Sequence, residues 1–321
     1  MENKIFETKT GIKVIDTPFL TAQLSLYLIL EGDKAVLIDT GVADTPKTYI
    51  DKFLSDNGLS YSNIENVIIT HAHHDHFGGN YYVSQKNPLI KFISHKLDYE
   101  WIEDHQKHYH EMYLTHAPIW MPDEAYKDGL LQMCGKNSVV HQTMDDPKTT
   151  LNLLGNWQLE AIHIGSHTKG EIILHSKKHD TVFTSDTIQG CGSQLETGCA
   201  VFPLINDLEK YIDALHLLRD LNCHYVCTSH QGVLDKAEFT IEIETSFKFI
   251  EDLLNNIKGL FNNPISLNEL VDSLWKEFYS NYEKGFQIYA TTYAFCNYLK
   301  DKEIISKISD DGVLKWVMTK A

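Results

Sequence analysis

The sequence predicts an α/β protein in which β-sheets pack on one another and are covered by helices. Three observations carry this expectation. Short runs rich in Val, Ile, Leu and Tyr recur in both halves of residues 10–235. Segments with apolar side chains at the helical repeat lie between and after them. The order along the chain is strands, a helix, more strands, then helices again, which suits stacked sheets with outer helices.

In chain order, "KVIDT" (13–17), "QLSLYLIL" (23–30) and "KAVLID" (34–39) read as strands punctuated by Gly and Asp. "PKTYIDKFLSDNG" (46–58) reads as a helix, with Pro46 in its first turn and Gly58 past its end. "NVIIT" (66–70) is a buried strand. Strands recur at "QLEAIHI" (158–164), "EIILHS" (171–176) and "TVFTS" (181–185). In 206–221, Leu208, Tyr211, Ile212, Leu215 and Leu218 follow the helical repeat, and Asn206 with Glu209 offers a cap. Strand "HYVCTS" (224–229) follows. No internal repeat or low-complexity segment is visible.

A length of 321 residues suggests roughly two domains. A hydrophobic share of 43% against 22% charged supplies a large core for a soluble protein. No run reaches the ~18 apolar residues of a membrane span. The opening "MENKIFETKTG" lacks the apolar stretch of an export signal. Cys134, Cys191, Cys199, Cys223, Cys227 and Cys296 are scattered, so free thiols in a reducing cytoplasm are expected. A net charge of −16 argues against a polyanionic partner such as nucleic acid.

The chemistry is concentrated in "THAHHDHFGGN" (70–80). Imidazoles are costly to crowd for packing alone, because each brings two polar nitrogens. A metal ion satisfies several neutral rings at once. On an extended backbone His71 and His73 point the same way and can grip one ion, while Asp75 and His76 can face a second after the chain turns at Gly78-Gly79. Further ligand types follow later apolar segments at His167, Asp186 and His230. His74, inside the run, reads as a surface or supporting residue, and His163 as a packed or hydrogen-bonded one. Cys223 and Cys227 form a lone pair of thiols that reads as buried.

The run "HAHHDH" matches the HxHxDH signature of the metallo-β-lactamase superfamily. "DTG" (39–41), "GSHTKG" (165–170), "FTSD" (183–186) and "SHQG" (229–232) resemble that family's remaining motifs in order. Ser166 and Ser229 stand where the family carries glycine before its histidines. The resemblance covers about residues 10–235. It implies an αββα sandwich with a two-metal site at one edge. It also implies that His71, His73 and His167 hold one ion, that Asp75, His76 and His230 hold the other, and that Asp186 bridges them. Asp39 would orient the ligand loop. Two divalent ions are implied, zinc first, with iron or manganese as alternatives because His and Asp ligands suit all three.

Such a site implies hydrolysis by a metal-bridging hydroxide, with Asp75 and Asp186 as catalytic carboxylates. The leading expectation is a cytoplasmic binuclear hydrolase of a small ester, thioester or lactone. A phosphodiesterase or ribonuclease is the alternative, and a regulatory metal-binding protein without significant turnover is a third reading. A secreted β-lactamase is disfavoured by the missing export signal.

Two further segments stand apart. The insertion at about 96–145 holds "EDHQKHYHEMYLTHAPIWMP" (103–122), with His105, His108, His110 and His116 among aromatics. It reads either as an amphipathic surface helix or as a helical lid for an apolar substrate, with Trp101, Tyr109, Tyr113, Trp120 and Met121 as candidates for contact. A catalytic domain is expected over 1–260 and a C-terminal unit over 261–321. In the latter, Ser266 and Glu269 make a capping box, Leu267, Leu270, Val271 and Leu274 an apolar face, a second helix spans 287–301, and a strand, an Asp311-Gly312 turn and a strand follow. This resembles the winged-helix-like tail of one branch of the superfamily. Residues 264–321 carry seven Lys, no Arg and eight Asp or Glu, so a packing, substrate-shaping or dimerisation role is expected rather than DNA binding.

Overall fold

The first sheet takes shape within the first 40 residues of the computed structural model, which describes residues 6, 10–19, 22–116, 119–155, 157–195, 198–310 and 312–319. Strands β1 (Ile12–Phe19), β2 (Ala22–Glu31) and β3 (Lys34–Ile38) form an antiparallel meander. A helical turn at Pro46–Ile50 leads into α1 (Asp51–Asp56), and Gly58 follows at φ +68. The chain returns in β4 (Ile64–Ile68) and passes through two short helices, α2 (His74–Phe77) and α3 (Asn80–Lys86), to β5 (Lys91–His95). The insertion is several short helices rather than one: α4 (Tyr99–Glu103), α5 (His105–His108), a turn at Tyr109–Tyr113 and α6 (Glu124–Cys134). Its Ala117 and Pro118 lie outside the described residues. Strand β6 (Gln142–Met144) completes a six-stranded sheet in the order β1-β2-β3-β4-β5-β6, parallel from β3 onward.

The second sheet comes from β7 (Lys148–Leu154), β8 (Trp157–His163), β9 (Ile172–Ser176), β10 (Thr181–Ser185), then a small hairpin of β11 (Ser193–Gln194) and β12 (Ala200–Val201). Helix α7 (Leu208–Leu221) precedes β13 (Tyr225–Thr228) and β14 (Val233–Leu234). The sheet order is β14-β13-β10-β9-β8-β7. The cap of α7 sits one residue later than expected. The Asp207 side chain accepts from Lys210 N, while Asn206 Nδ2 donates to the His167 carbonyl. The side chain nearest the turn therefore went to the ligand loop and left capping to its neighbour.

Three apolar layers show why the sequence stacks this way. On β2, Leu24, Leu26 and Leu28 pack toward helices with Leu54, Val83 and Trp101, while Tyr27 and Ile29 pack toward the second sheet with Leu174 and Phe183. Burial of both faces explains its unbroken apolar run. The Tyr27 hydroxyl also donates across the sandwich to the Thr228 carbonyl at 2.6 Å. The third layer covers the outer face of the second sheet and gives an αββα order.

The rest of the chain joins that third layer. Helix α8 (Lys236–Leu260), β15 (Ile265–Ser266), α9 (Leu267–Phe278), α10 (Phe286–Asp301), β16 (Ile305–Asp310) and β17 (Val313–Met318) follow in order. Ser266 and Glu269 form the expected capping box, and β15, β17 and β16 form a three-stranded sheet. Asp311 of the expected turn lies outside the described residues, as do 1–5 and 7–9 of the opening segment. Leu270, Leu274, Phe295 and Trp316 share one apolar cluster with Ile173 and Val182 of the second sheet. Among the described residues, no helix is long and apolar enough to cross a membrane.

Candidate metal centre

The loops leaving β3, β4, β10 and β13, with the one entering β9, meet at one edge of the sandwich. They carry Asp39, the 71–76 run, Asp186, His230 and His167. Side-chain N and O atoms of His71, His73, His167 and Asp186 lie within 4.8 Å of one another, as do those of Asp75, His76 and His230. The two groups adjoin at Asp186: its Oδ2 is 3.5 Å from His167 Nε2 and 3.3 Å from His230 Nε2, and its Oδ1 is 3.4 Å from His76 Nε2. Asp75 Oδ2 lies 3.6 Å from His76 Nε2 and 3.5 Å from His230 Nε2. All seven expected residues are thus brought together. The extended pairing of His71 and His73 holds, with Nε2 and Nδ1 3.0 Å apart. Beyond His73 the chain is helical, and α2 presents Asp75 and His76.

The backs of the rings are fixed by hydrogen bonds. His167 Nδ1 donates to the Leu204 carbonyl at 2.8 Å, and His230 Nδ1 to the Gln23 carbonyl at 2.9 Å. His76 Nδ1 donates to Asp39 Oδ2 at 2.8 Å. His71 Nδ1 is 2.9 Å from Ser185 Oγ, which donates to Thr70 Oγ1, which in turn donates to Asp39 Oδ2. Each bond uses an Nδ1 proton and turns Nε2 toward the cluster. One hydrogen-bonded chain therefore runs from His71 to His76 through Ser185, Thr70 and Asp39. Asp39 and Ser185 adopt φ of +60 and +52, the left-handed region that costs a non-glycine residue about 1 kcal/mol or more.

This donor set fits metal ions. His73 Nδ1 faces Nε2 of both His71 and His167, at 3.0 and 2.8 Å. Both of those nitrogens present lone pairs, and one N–H on His73 can satisfy only one of them. His76 Nε2 and Asp186 Oδ1 are buried with no hydrogen-bond partner. A cation resolves these conflicts together. The electrostatics agree. Burial, with the imidazoles of His76 and His167 close by, pushes the His71 and His73 rings well below their ordinary range and keeps them neutral. Burial opposes charge on His230 and His76 too, yet Asp186 and Asp75 outweigh it, taking His230 up to about 9 and His76 well above its ordinary value. The carboxylates create a negative potential that draws positive charge to this edge.

Two supporting acids carried no signal in the sequence. Asp98 is buried and accepts from Ala72 N (2.8 Å), Thr168 Oγ1 (2.5 Å) and Gly170 N (2.7 Å), which ties the first histidine loop to the His167 loop. Burial pushes its carboxyl up against the pull of these donors. Glu171 accepts from Ser166 N and Oγ, His167 N and Thr187 Oγ1. Ser166, where the family carries glycine, thus anchors its loop through its hydroxyl. His163 stacks on His95 with ring centroids 4.0 Å apart, and all six cysteines are free thiols.

A cavity of about 430 Å³ opens from Asp75, Asp186 and His230. Phe19, Tyr113, Leu130, Met133 and Phe286 form much of its wall. The insertion contributes Tyr113 and α6, and the tail contributes Phe286. Trp120 supports the wall from behind, 5.4 Å from the Phe286 ring, while Trp101 bonds Glu111 away from it.

An αββα sandwich with a His and Asp cluster at one edge defines a class, the hydrolases that work through divalent metal. The chain belongs to the metallo-beta-lactamase superfamily, whose family profile matches residues 22–230. It is 25% identical over 243 residues to a beta-lactamase-like protein 2 homolog of Caenorhabditis elegans, covering 75% of this chain and 68% of that one. It is also 25% identical over 244 residues to a probable hydroxyacylglutathione hydrolase of Schizosaccharomyces pombe, covering 74% and 73%. A metallo-beta-lactamase family protein of Thermus thermophilus shares the fold at TM-score 0.75 and 16% identity, over 96% of this chain and 98% of its own, so the likeness extends through the C-terminal unit.

Proposed function

We propose that the protein hydrolyses a small ester, thioester or lactone at a binuclear metal site in which His71, His73 and His167 hold one ion, Asp75, His76 and His230 the other, and Asp186 both. The observation that carries this is the convergence of seven N and O donors on two adjoining positions at the mouth of an apolar cavity. The relative named for acyl-glutathione hydrolysis supports the thioester within this class. Zinc is the first expectation for the ions, in a cytoplasmic enzyme.

Two bound divalent ions supply an acidified water and polarise the scissile carbonyl. The chain's own part is positional. Nδ1 bonds to Leu204, Gln23, Asp39 and Ser185 aim the imidazoles. Asp75 borders the cavity and stands beside His76 and His230, where it can take the water's proton as the water oxygen bonds the acyl carbon. The acyl–O or acyl–S bond then breaks and that proton ends on the leaving alcohol or thiol. We read residues 1–260 as the catalytic unit. The winged-helix-like unit, 261–321, closes the cavity through Phe286.

Elemental analysis of protein purified without chelator should return about two ions per chain, and Asp186→Ala should lower hydrolysis at least about a hundredfold with the fold retained by circular dichroism. A folded preparation that never takes up more than one ion under zinc, iron or manganese overturns the binuclear reading. Activity of Asp186→Ala within threefold of the parent removes the bridge.

A further inference from the structure

The cavity is notable for what charges its wall. Apart from the carboxylates and histidines of the metal site and Glu283 at the exposed rim, its described lining is apolar or uncharged, and it includes no lysine or arginine. The whole chain has a single arginine, Arg219, which is exposed on α7 and bonded to His216. Lys127 and Lys284, next in sequence to wall residues, are engaged with Glu124 and Asp272. Gln189, a lining amide beside His167, spends both ends of its side chain on the Leu204 backbone. His74 faces the Tyr113 hydroxyl at 3.4 Å.

An ionised carboxylate or phosphate entering such a space loses its water and finds no cationic partner, which is unfavourable unless the group is neutralised. Bidentate recognition of these groups is the work of arginine, and none is available. The metal edge is the one place that draws an anion, and in a bound acyl compound the scissile carbonyl occupies it. We infer that the substrate is a neutral acyl compound: an uncharged ester, lactone or thioester whose hydrocarbon chain lies against Phe19, Tyr113, Leu130, Met133 and Phe286, and whose leaving group carries no carboxylate or phosphate. This rests on the hydrolase reading above and narrows it, against the glutathione group in the name of the fission-yeast relative.

Matched thioesters test it on metal-loaded protein. S-hexanoyl-N-acetylcysteamine is neutral, while S-hexanoylglutathione and hexanoyl-coenzyme A carry the same acyl chain on anionic leaving groups. The neutral thioester should exceed both at least tenfold in kcat/KM, mainly through KM. Ala125→Lys places a cation at an exposed helical position on the cavity wall and should raise kcat/KM for S-hexanoylglutathione at least about threefold. Equal or better turnover of either anionic thioester by the parent overturns the inference. If no thioester is hydrolysed, the thioester part of the hydrolase reading fails and calorimetry with two non-hydrolysable ethers still decides this one. Tighter binding of S-hexyl-N-acetylcysteamine than of S-hexylglutathione supports it. The reverse order, or no binding of either, overturns it.

Discussion

At Asp39 one carboxylate accepts from Thr70 N, Thr70 Oγ1 and His76 Nδ1, each at 2.8 Å. Thr70 is the joint between this carboxylate and the His71 side of the cluster. Thr70→Val keeps the shape and removes the hydroxyl, so metal affinity should fall roughly 10–100-fold, as for other residues that orient ligands. Competition with a chromophoric chelator measures this, and an unchanged affinity would refute the orienting role. His95 gives a pH-dependent term. Burial, then the stacked His163, lowers its ring from 6.5 to about 4. Its contribution to stability is full above pH 6.5 and lost as pH falls toward 4, because the unfolded chain takes up the proton first. His95→Asn should flatten the fall in Tm over that window relative to the parent, read by thermal melts between pH 7 and 4. The candidate ligands that the structure brings together were legible in the sequence because imidazoles are rarely crowded for packing. Ser185, Asp98 and Glu171 were not, since a lone Ser, Asp or Glu has the same appearance whether it is exposed or tied to a ligand loop.

Among elements, the two glycines after the histidine run act by closeness rather than by chirality. Gly78 has helical φ −57, and a Cβ there would meet the Met133 carbonyl at 2.3 Å and the His74 carbonyl at 2.5 Å. Met133 belongs to α6 and also accepts from Ala43 N at 2.9 Å, so Gly78 sets how near the insertion's last helix docks to the ligand loop. Gly78→Ala should cost about 1–3 kcal/mol of stability through overpacking. Denaturant melts check the cost, and a loss below about 0.5 kcal/mol would show that α6 is free to shift. The sequence revealed strands such as β2, β3 and β10 because burial of both faces writes continuous apolar runs, but β5 and β7 were not read from it. It blurred the insertion: one aromatic, histidine-rich stretch became several short helices, in which His105, His108 and His116 are buried and His110 is exposed. That burial keeps the helical repeat, and the break comes instead at Asp104, which is extended at φ −137, ends α4 and caps α5 through its side chain.

For the molecule as a whole, the boundary near residue 260 divides the sequence more than the core. Trp316 and Leu274 belong to the same apolar cluster as Val182 and Ile173, and Ala200 N and O bond Asn281 and Glu283 across the two regions. Unfolding should therefore be a single cooperative transition, with calorimetric and van't Hoff enthalpies in agreement. A chain ending at 260 would expose the apolar faces of α7 and α8 on which the tail packs and should aggregate. Two separated transitions, or a stable soluble 1–260 fragment, would show an independent tail. The layered α/β order was readable in advance; the sharing of one core was not, because apolar periodicity says which face is buried and not against what.

Asp98 bears on modularity. The insertion begins near residue 96, and Asp98, within its first turn of chain, bonds the backbone beside two groups of candidate ligands while its later residues form the cavity wall. Any exchange of this segment with a relative's, the obvious route to a new substrate range, would also exchange the staple that sets the histidine loops. A graft spliced after Asp98 transplants the wall alone. One spliced before it transplants the wall and a piece of the metal cage.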